Sequence, residues 1–274
     1  MEKIKRLIVF TFLFSLLSVL SGCGSGESGL AVDVLPIGKA DCIVLQQADK
    51  VCMIDTGEEE NLTEIMAFLK QKKIDSIDLL IITHFDKDHV GGAAGILENY
   101  PVGKVYLNTF EKESEPVEAF FAAMDQKGIV PVRLDQTASL PIGEAALKIY
   151  PPKEASYDEK EDNNSSLVVL CEFENHRMLF CGDAMETRIA ELLEESIGKV
   201  DYMKVPYHGR ELDNLSFLLE DTAPQYAVIT CSKKNPPSDI TLSELENAGA
   251  EVFLTTDGGI HASVRQSGVR ISRF

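Results

Sequence analysis

The sequence is short of positive charge: 26 Lys and Arg stand against 44 Asp and Glu, so the 274-residue chain carries a formal net charge of −18. A surface this acidic repels phosphate backbones and anionic headgroups, and no basic stripe offsets it, which argues against tight, non-specific nucleic-acid binding. Trp is absent, and that alone excludes little. None of the six cysteines has the CxxC spacing of a zinc knuckle or redox site. There is no internal repeat at a fixed short period. The apolar run Leu7 to Leu20 is too short to span a bilayer comfortably. What remains is ordinary: a hydrophobic content of 45% suits a globular domain with a sizeable core.

Lys3, Lys5 and Arg6 before that apolar run give the layout of a signal peptide. Leu20-Ser21-Gly22-Cys23 resembles the bacterial lipobox, whose Cys becomes the lipid-modified first residue. Residues 1–22 are therefore expected to be a lipoprotein signal peptide, 23–29 a flexible tether, and 30–274 one folded domain. The expected location is the extracytoplasmic face of the cell membrane, held by lipid on Cys23. The alternative is an ordinary secretory signal or an uncleaved anchor. Losing three cations and one anion with the signal takes the net charge from −18 to −20. Of the remaining cysteines, Cys42 with Cys52 and Cys171 with Cys181 could face each other across hairpins. The other reading of all five is as small buried hydrophobes.

Strand patterns are expected at 30–35, 42–45, 51–54, 79–82, 104–107, 129–134, 145–150, 167–173, 177–181, 200–204, 226–230 and 251–255. Helical spacing is expected at 61–73, 93–99, 116–126, 184–196 and 242–248. The polar stretch 151–164 reads as an exposed loop. With no linker inside 30–274, one α/β domain is the economical arrangement.

The chemistry concentrates in Thr83-His84-Phe85-Asp86-Lys87-Asp88-His89. Four potential ligands, His84, Asp86, Asp88 and His89, follow the continuous apolar run Leu79 to Ile82. Imidazole and carboxylate are ligands for borderline and hard divalent metals. Unpaired charges this dense have no place in an apolar core. Gly91 and Gly92 then allow a close turn of the backbone.

These residues resemble the metallo-β-lactamase superfamily signature H-x-H-x-D-H, and within it the subgroup formed by the C-terminal domain of the ComEC competence protein, where Asp replaces the second His. The likeness extends through Val32-Asp33-Val34 to Gly38-Lys39-Ala40-Asp41, Met53-Ile54-Asp55-Thr56-Gly57, Asn163 to Val168, Phe180-Cys181-Gly182-Asp183 and Lys204-Val205-Pro206-Tyr207-His208-Gly209. The resemblance implies a four-layered αββα sandwich with two divalent metals at one edge. It implies Asp183 as a bridging ligand, Asp88, His89 and His208 completing one position, and His84 and Asp86 serving the other. Asp88 and Asp183 would be the catalytic carboxylates.

Three departures from the pattern matter. Asp86 replaces His; Asn163 and Ser166 stand where a further mid-chain His is expected, and one of them would support site or substrate; Tyr207 replaces the first His of an H-H-G pair. The oxygen-rich first position shifts preference from Zn towards Mn, with Mg also possible. Tyr207 could donate a hydrogen bond to substrate. Asp41 and Asp55 read as supporting or turn residues, His176 as an exposed turn, and His261 as a late-strand residue outside the ligand set.

The expected activity is hydrolysis by a metal-activated hydroxide, on a phosphodiester, nucleotide or nucleic acid, with no protein partner inferable. The charge favours a small phosphoester over duplex DNA. Lactone or lactam opening uses the same chemistry, and a non-catalytic binding or assembly lipoprotein is the rival from another class.

Overall fold

The computed structural model describes residues 29–157 and 161–274. The signal peptide, Cys23 and nearly all of the tether expected above lie outside the described residues. No helix among the described residues is long and apolar enough to cross a membrane.

The chain enters through β1 (Leu30–Val34), β2 (Ile43–Gln47), β3 (Lys50–Ile54), β4 (Ile77–Ile81), β5 (Val102–Leu107) and β6 (Val132–Arg133). It crosses to β7 (Ala138–Ile142), β8 (Ala145–Tyr150), β9 (Val168–Phe173), β10 (His176–Phe180), β11 (Tyr202–Lys204), β12 (Tyr226–Ile229) and β13 (Glu251–Leu254). The hairpin β14 (Ile260–Arg265) and β15 (Gly268–Arg273) then returns to the first half. The two sheets run β15-β14-β1-β2-β3-β4-β5-β6 and β13-β12-β11-β10-β9-β8-β7.

Side-chain alternation builds three apolar layers from these sheets. Leu30, Val32 and Val34 face Val169, Cys171 and Phe173 in the core between them. On the outer face of the first sheet, α1 (Leu62–Gln71), α3 (Ala93–Asn99) and α4 (Glu115–Lys127) cover Val44, Met53 and Leu80. On the outer face of the second, α6 (Glu186–Glu194), α7 (Leu215–Thr222) and α8 (Asp239–Asn247) cover Leu170, Leu179 and Ala227. Two short helices, α2 (Lys87–Val90) and α5 (Glu161–Asn164), lie in the connections. This is the αββα sandwich. The run Leu79–Ile82 is apolar throughout because Leu79 and Ile81 enter the central core while Leu80 and Ile82 meet the outer helices.

Several local expectations need correction. The strand expected at 129–134 shrinks to Val132–Arg133 at the sheet edge, and Val130 is exposed. The polar stretch 151–164 contains the one-turn helix α5. His176 begins β10 instead of capping a turn, and its Nδ1 lies 3.1 Å from Asp201. The five described cysteines are buried and unbridged. Burial pushes the Cys181 thiol up to about 12, well clear of thiolate chemistry at neutral pH.

The parallel strands β3, β4, β5 and β10, β11, β12 all end at one edge. The loops leaving them carry Asp55, His84, Asn108, Asp183, His208 and Thr230. Carboxyl ends of parallel strands are where open α/β sheets collect ligands. Gly91 and Gly92 follow α2 with ordinary helical φ, so close packing, not a special turn, is what requires glycine there. A Cβ on Gly92 would run into the Thr56 carbonyl oxygen. Gly92→Ala should lower stability by about 1–3 kcal/mol through this overpacking, read as a fall in the urea midpoint at unchanged slope; an unchanged midpoint would show that the 55–57 loop yields freely.

Candidate metal centre

The segment after β4 is lashed to its neighbours by backbone bonds. Asp41 N–H donates to Asp88 O (3.0 Å), Thr56 N–H to His89 O (2.7 Å), and Leu167 N–H to Thr83 O (2.9 Å). Asn108 adds bonds to Thr83 O (3.1 Å) and Ser165 O (2.9 Å), joining the two sheets across the edge. Asp88 and His89 sit on α2, and Asp86 is its N-cap.

Around this frame His84, His89, His208, Asp88 and Asp183 converge. His89 Nε2 lies 3.4 Å from Asp183 Oδ1, while His208 Nε2 is 2.9 Å from Asp183 Oδ2 and 3.3 Å from Asp88 Oδ2. The His84 and His89 rings are 4.1 Å apart, and His89 and His208 5.5 Å. Two overlapping ligand groups result, His84–His89–Asp183 and Asp88–His89–His208, all of them buried. The Nε2 atoms of His84, His89 and His208, and Asp183 Oδ1, are buried without a hydrogen-bond partner in good geometry. Buried polar atoms left this way are costly unless something else engages them. Nitrogen and carboxylate oxygen are donors that divalent cations accept, so the residues fit the implied metals.

The three imidazoles are oriented from behind. Asp55 accepts from Thr83 N–H and Thr83 Oγ1–H, both at 2.7 Å, and from His89 Nδ1 at 2.7 Å. Because the Thr83 hydroxyl donates to Asp55, its oxygen is left to accept from His84 Nδ1 at 3.1 Å. Thr230 likewise donates to Asp41 (2.6 Å) and accepts from His208 Nδ1 (3.0 Å). This network puts the proton on Nδ1 of each ring and aims each Nε2 lone pair into the site. Asp55→Asn would set an N–H donor against these donors, and metal affinity should fall about 10–100-fold. Competition with a chromophoric chelator measures it, and unchanged affinity would remove Asp55 from this orienting role.

Charge is balanced by lysines. Lys204 is fully buried, 2.5 Å from Asp41 and 3.6 Å from Asp183, and donates to Gly182 O at 3.0 Å. Lys39 lies 2.5 Å from Asp88, and Lys112 2.6 Å from Asp86. Burial alone would raise Asp183 and Asp88, but His208, His89 and, for Asp88, Lys39 outweigh it and hold both well below the ordinary carboxylate range. Burial would lower His89 and His208, yet the neighbouring carboxylates, led by Asp183, raise both above their ordinary value. Metal entry therefore competes with protons on these rings.

Asp86 stands apart. It is about one-third exposed, pairs with Lys112, lies 3.7 Å from His84 Nε2, and belongs to neither ligand group. His208, not Tyr207, enters the site. Both residues have left-handed backbone (φ 54° and φ 50°), a strained pair that turns the His208 ring inward while the Arg210 guanidinium lies over the Tyr207 ring at 5.2 Å. Ser166 Oγ accepts from Asp183 N–H at 3.2 Å and donates to Asn163 O at 2.7 Å, so it fixes the Asp183 loop. Asn163 Nδ2 contacts Met185 Sδ at 3.4 Å, and its Oδ1 is buried without a partner. The fully buried Arg188 ties this segment down through Ser166 O (3.0 Å) and Tyr150 O (2.7 Å). His261 lies away from the centre, its Nδ1 2.7 Å from Asp33.

Nothing in the sequence assigns a role to Lys39, Lys112, Lys204 or Thr230, and Asp41 reads there only as a supporting residue. Lys39, Asp41 and Lys204 were visible as members of matched motifs. Thr230 carried no signal, because its partner Asp41 is 189 positions away.

Residues 35–233 match the model of the metallo-β-lactamase superfamily. The chain is 25% identical over 213 residues to recombination protein 2 of Haemophilus influenzae, covering 75% of this chain and 24% of that protein. It is 25% identical over 260 residues to ComE operon protein 3 of Bacillus subtilis, covering 86% of this chain and 33% of that protein. It thus spans about a quarter to a third of these relatives. Among solved structures, the metallo-β-lactamase fold protein YhfI of Bacillus subtilis superposes with a TM-score of 0.58 at 12% identity, covering 89% of this chain and all (100%) of that one. CmlA, a diiron β-hydroxylase from Streptomyces venezuelae, gives 0.55 at 16%, covering 90% and 54%. With the model match running from before Asp41 to beyond Thr230 and the site at the expected sheet edge, the chain belongs to the metallo-β-lactamase superfamily.

Proposed function

We propose that this protein is a metal-dependent hydrolase of small phosphodiesters or nucleotides, tethered by lipid on Cys23 to the outer face of the cell membrane. The observation that carries the catalytic part is the gathering of the buried His84, His89, His208, Asp88 and Asp183 into two overlapping ligand groups that share His89, with each imidazole held at Nδ1 by a neighbouring side chain. The similarity to recombination protein 2 of Haemophilus influenzae supports a nucleic-acid-related phosphodiester. The −18 charge favours a short one.

His84, His89, Asp183, Asp88 and His208 would hold two divalent ions, Zn or Mn, with Mg also possible, and Asp86 stands ready beside His84. Such ions supply Lewis acidity and a water acidified towards neutral pH. The chain's own residues do the rest. Asp55 and the Asp41–Thr230 pair keep the imidazoles aimed, Ser166 fixes Asp183, and Asp88 accepts a hydrogen bond that orients the attacking water. One P–O bond forms from water, one P–O ester bond breaks, and the departing alcohol takes up a proton.

Metal analysis and turnover of bis-p-nitrophenyl phosphate with added Mn²⁺, Zn²⁺, Mg²⁺ or Fe²⁺ test this. Retention of close to two ions per chain with metal-dependent turnover is expected. Fewer than one tightly held ion and no turnover would instead favour a non-catalytic binding module. For the anchor, Cys23→Ser should release the protein from the membrane fraction; a variant that stays attached would mean simple hydrophobic anchoring.

A further inference from the structure

Beside the centre, a cavity of about 650 Å³ opens between the 110–113 loop and α4, lined by Glu111, Lys112, Glu113, Val117, Glu118, Phe121 and Arg133. It adjoins the candidate centre through Lys112, whose Nζ is 2.6 Å from Asp86 Oδ1. Phe121 is partly exposed, and its ring packs 6.1 Å from Phe85, the residue between His84 and Asp86. Arg133 lies 5.5 Å from the Phe121 ring centroid and is pinned there by donating to Asn108 O (3.2 Å) and Phe110 O (3.0 Å).

We infer that this cavity is the subsite for one nucleobase of a short phosphodiester substrate, with Lys112 at the junction where the scissile phosphate meets the metal centre. This rests on the phosphodiesterase reading above and names its substrate class. The volume lies in the range of small-ligand pockets. A half-exposed Phe beside a guanidinium held in place by two carbonyls offers flat π and cationic faces, and every base has a π-face to stack on them. The three carboxylates Glu111, Glu113 and Glu118 accept from exocyclic amino groups of a base and repel further phosphates. The occupant is therefore the organic arm of a dinucleotide-sized ester, not a continuing polyanionic strand.

Two p-nitrophenyl phosphodiesters sharing one leaving group test this: the guanosine 5′-monophosphate ester and the methyl ester. Phe121→Leu keeps apolar bulk under α4 and removes the ring. The metal-loaded wild-type protein should prefer the guanosine ester, and Phe121→Leu should cut that preference about tenfold through KM while methyl ester turnover and metal content stay unchanged. Binding of guanosine 5′-monophosphate to the chelated, metal-free protein should weaken by a similar factor in equilibrium dialysis. Equal handling of both esters by wild type and variant, with dialysis unchanged, would overturn the subsite and leave the hydrolase standing. No turnover of either ester by the metal-loaded wild type would overturn the hydrolase reading instead, and the dialysis result would then judge the cavity alone.

Discussion

Asp183→Asn is expected to reduce phosphodiester turnover by at least about a thousandfold and to leave at most one ion per chain, in a protein that still folds. The substitution preserves shape, and the Asp183 N–H bond to Ser166 Oγ is untouched. What disappears is one negative charge facing His89, His208 and Lys204 at 3.4, 2.9 and 3.6 Å. Two cations held close together repel each other, and a carboxylate beside both would offset that repulsion. The metal-free protein gives an independent check on this charge. Its His89 and His208 are raised above the ordinary 6.5, so their protonated forms stabilise the fold fully below that value and cease to as pH rises through the raised ones. Asp183 is lowered from the ordinary 3.8, so its contribution is present above that value. The stability gap between wild type and variant, with metal chelated, should therefore be widest between about pH 4 and neutrality and narrow above it. Retained turnover with two ions bound would mean that Asp183 is not the shared ligand.

Much of this candidate centre was legible because three of the residues the structure brings together lie close in the chain. His84, Asp88 and His89 fall within six positions after a strand whose apolar run is continuous, and that run is continuous because both faces are covered. Asp183 and His208 were legible only through their motifs. His208 was preferred to Tyr207 from the motif alone, and what the sequence did not reveal is the left-handed backbone at both positions that turns the His208 ring inward. Asp86, expected from the sequence to serve beside His84, lies 3.7 Å from His84 Nε2 and also pairs with Lys112, 26 residues on, a contact with no local sequence signal. Elements that carry little periodicity were also missed. β7 contains Pro141 and lies half-exposed at a sheet edge, where a missing N–H is tolerated. β15 buries none of its residues fully, so its alternation is blurred. α7 buries Leu215, Leu218 and Leu219 within only eight residues, too short a span for the helical repeat to stand out.

Lys204→Met should be the most destabilising single change outside the ligands, because it leaves a buried carboxylate without its cation. Lys204 is fully buried, and burial alone would lower its pKa; Asp41 and Asp183 outweigh that and raise it above the ordinary 10.5. Removing one partner of such a pair costs about 3–5 kcal/mol, since the other charge stays desolvated. Met fills the aliphatic space but cannot donate to Gly182 O or face Asp41. The sign of the pH dependence follows from both partners. The raised Lys204 contributes fully below 10.5, and Asp41, lowered from 3.8 by Lys204 against its burial, contributes above 3.8. The deficit of the variant should therefore be flat between about pH 5 and 9, as measured by urea unfolding of the metal-free protein. Adding Asp41→Leu should restore more than half of the loss, because an apolar pair no longer buries an unmatched charge. It should not restore metal retention, because Thr230 then loses the acceptor that orients His208. A single variant as stable as wild type would show that Asp41 reaches water. A double variant with full metal affinity would show that His208 is held without the Asp41–Thr230 pair, and would confine this buried lysine to the stability of the sheet edge.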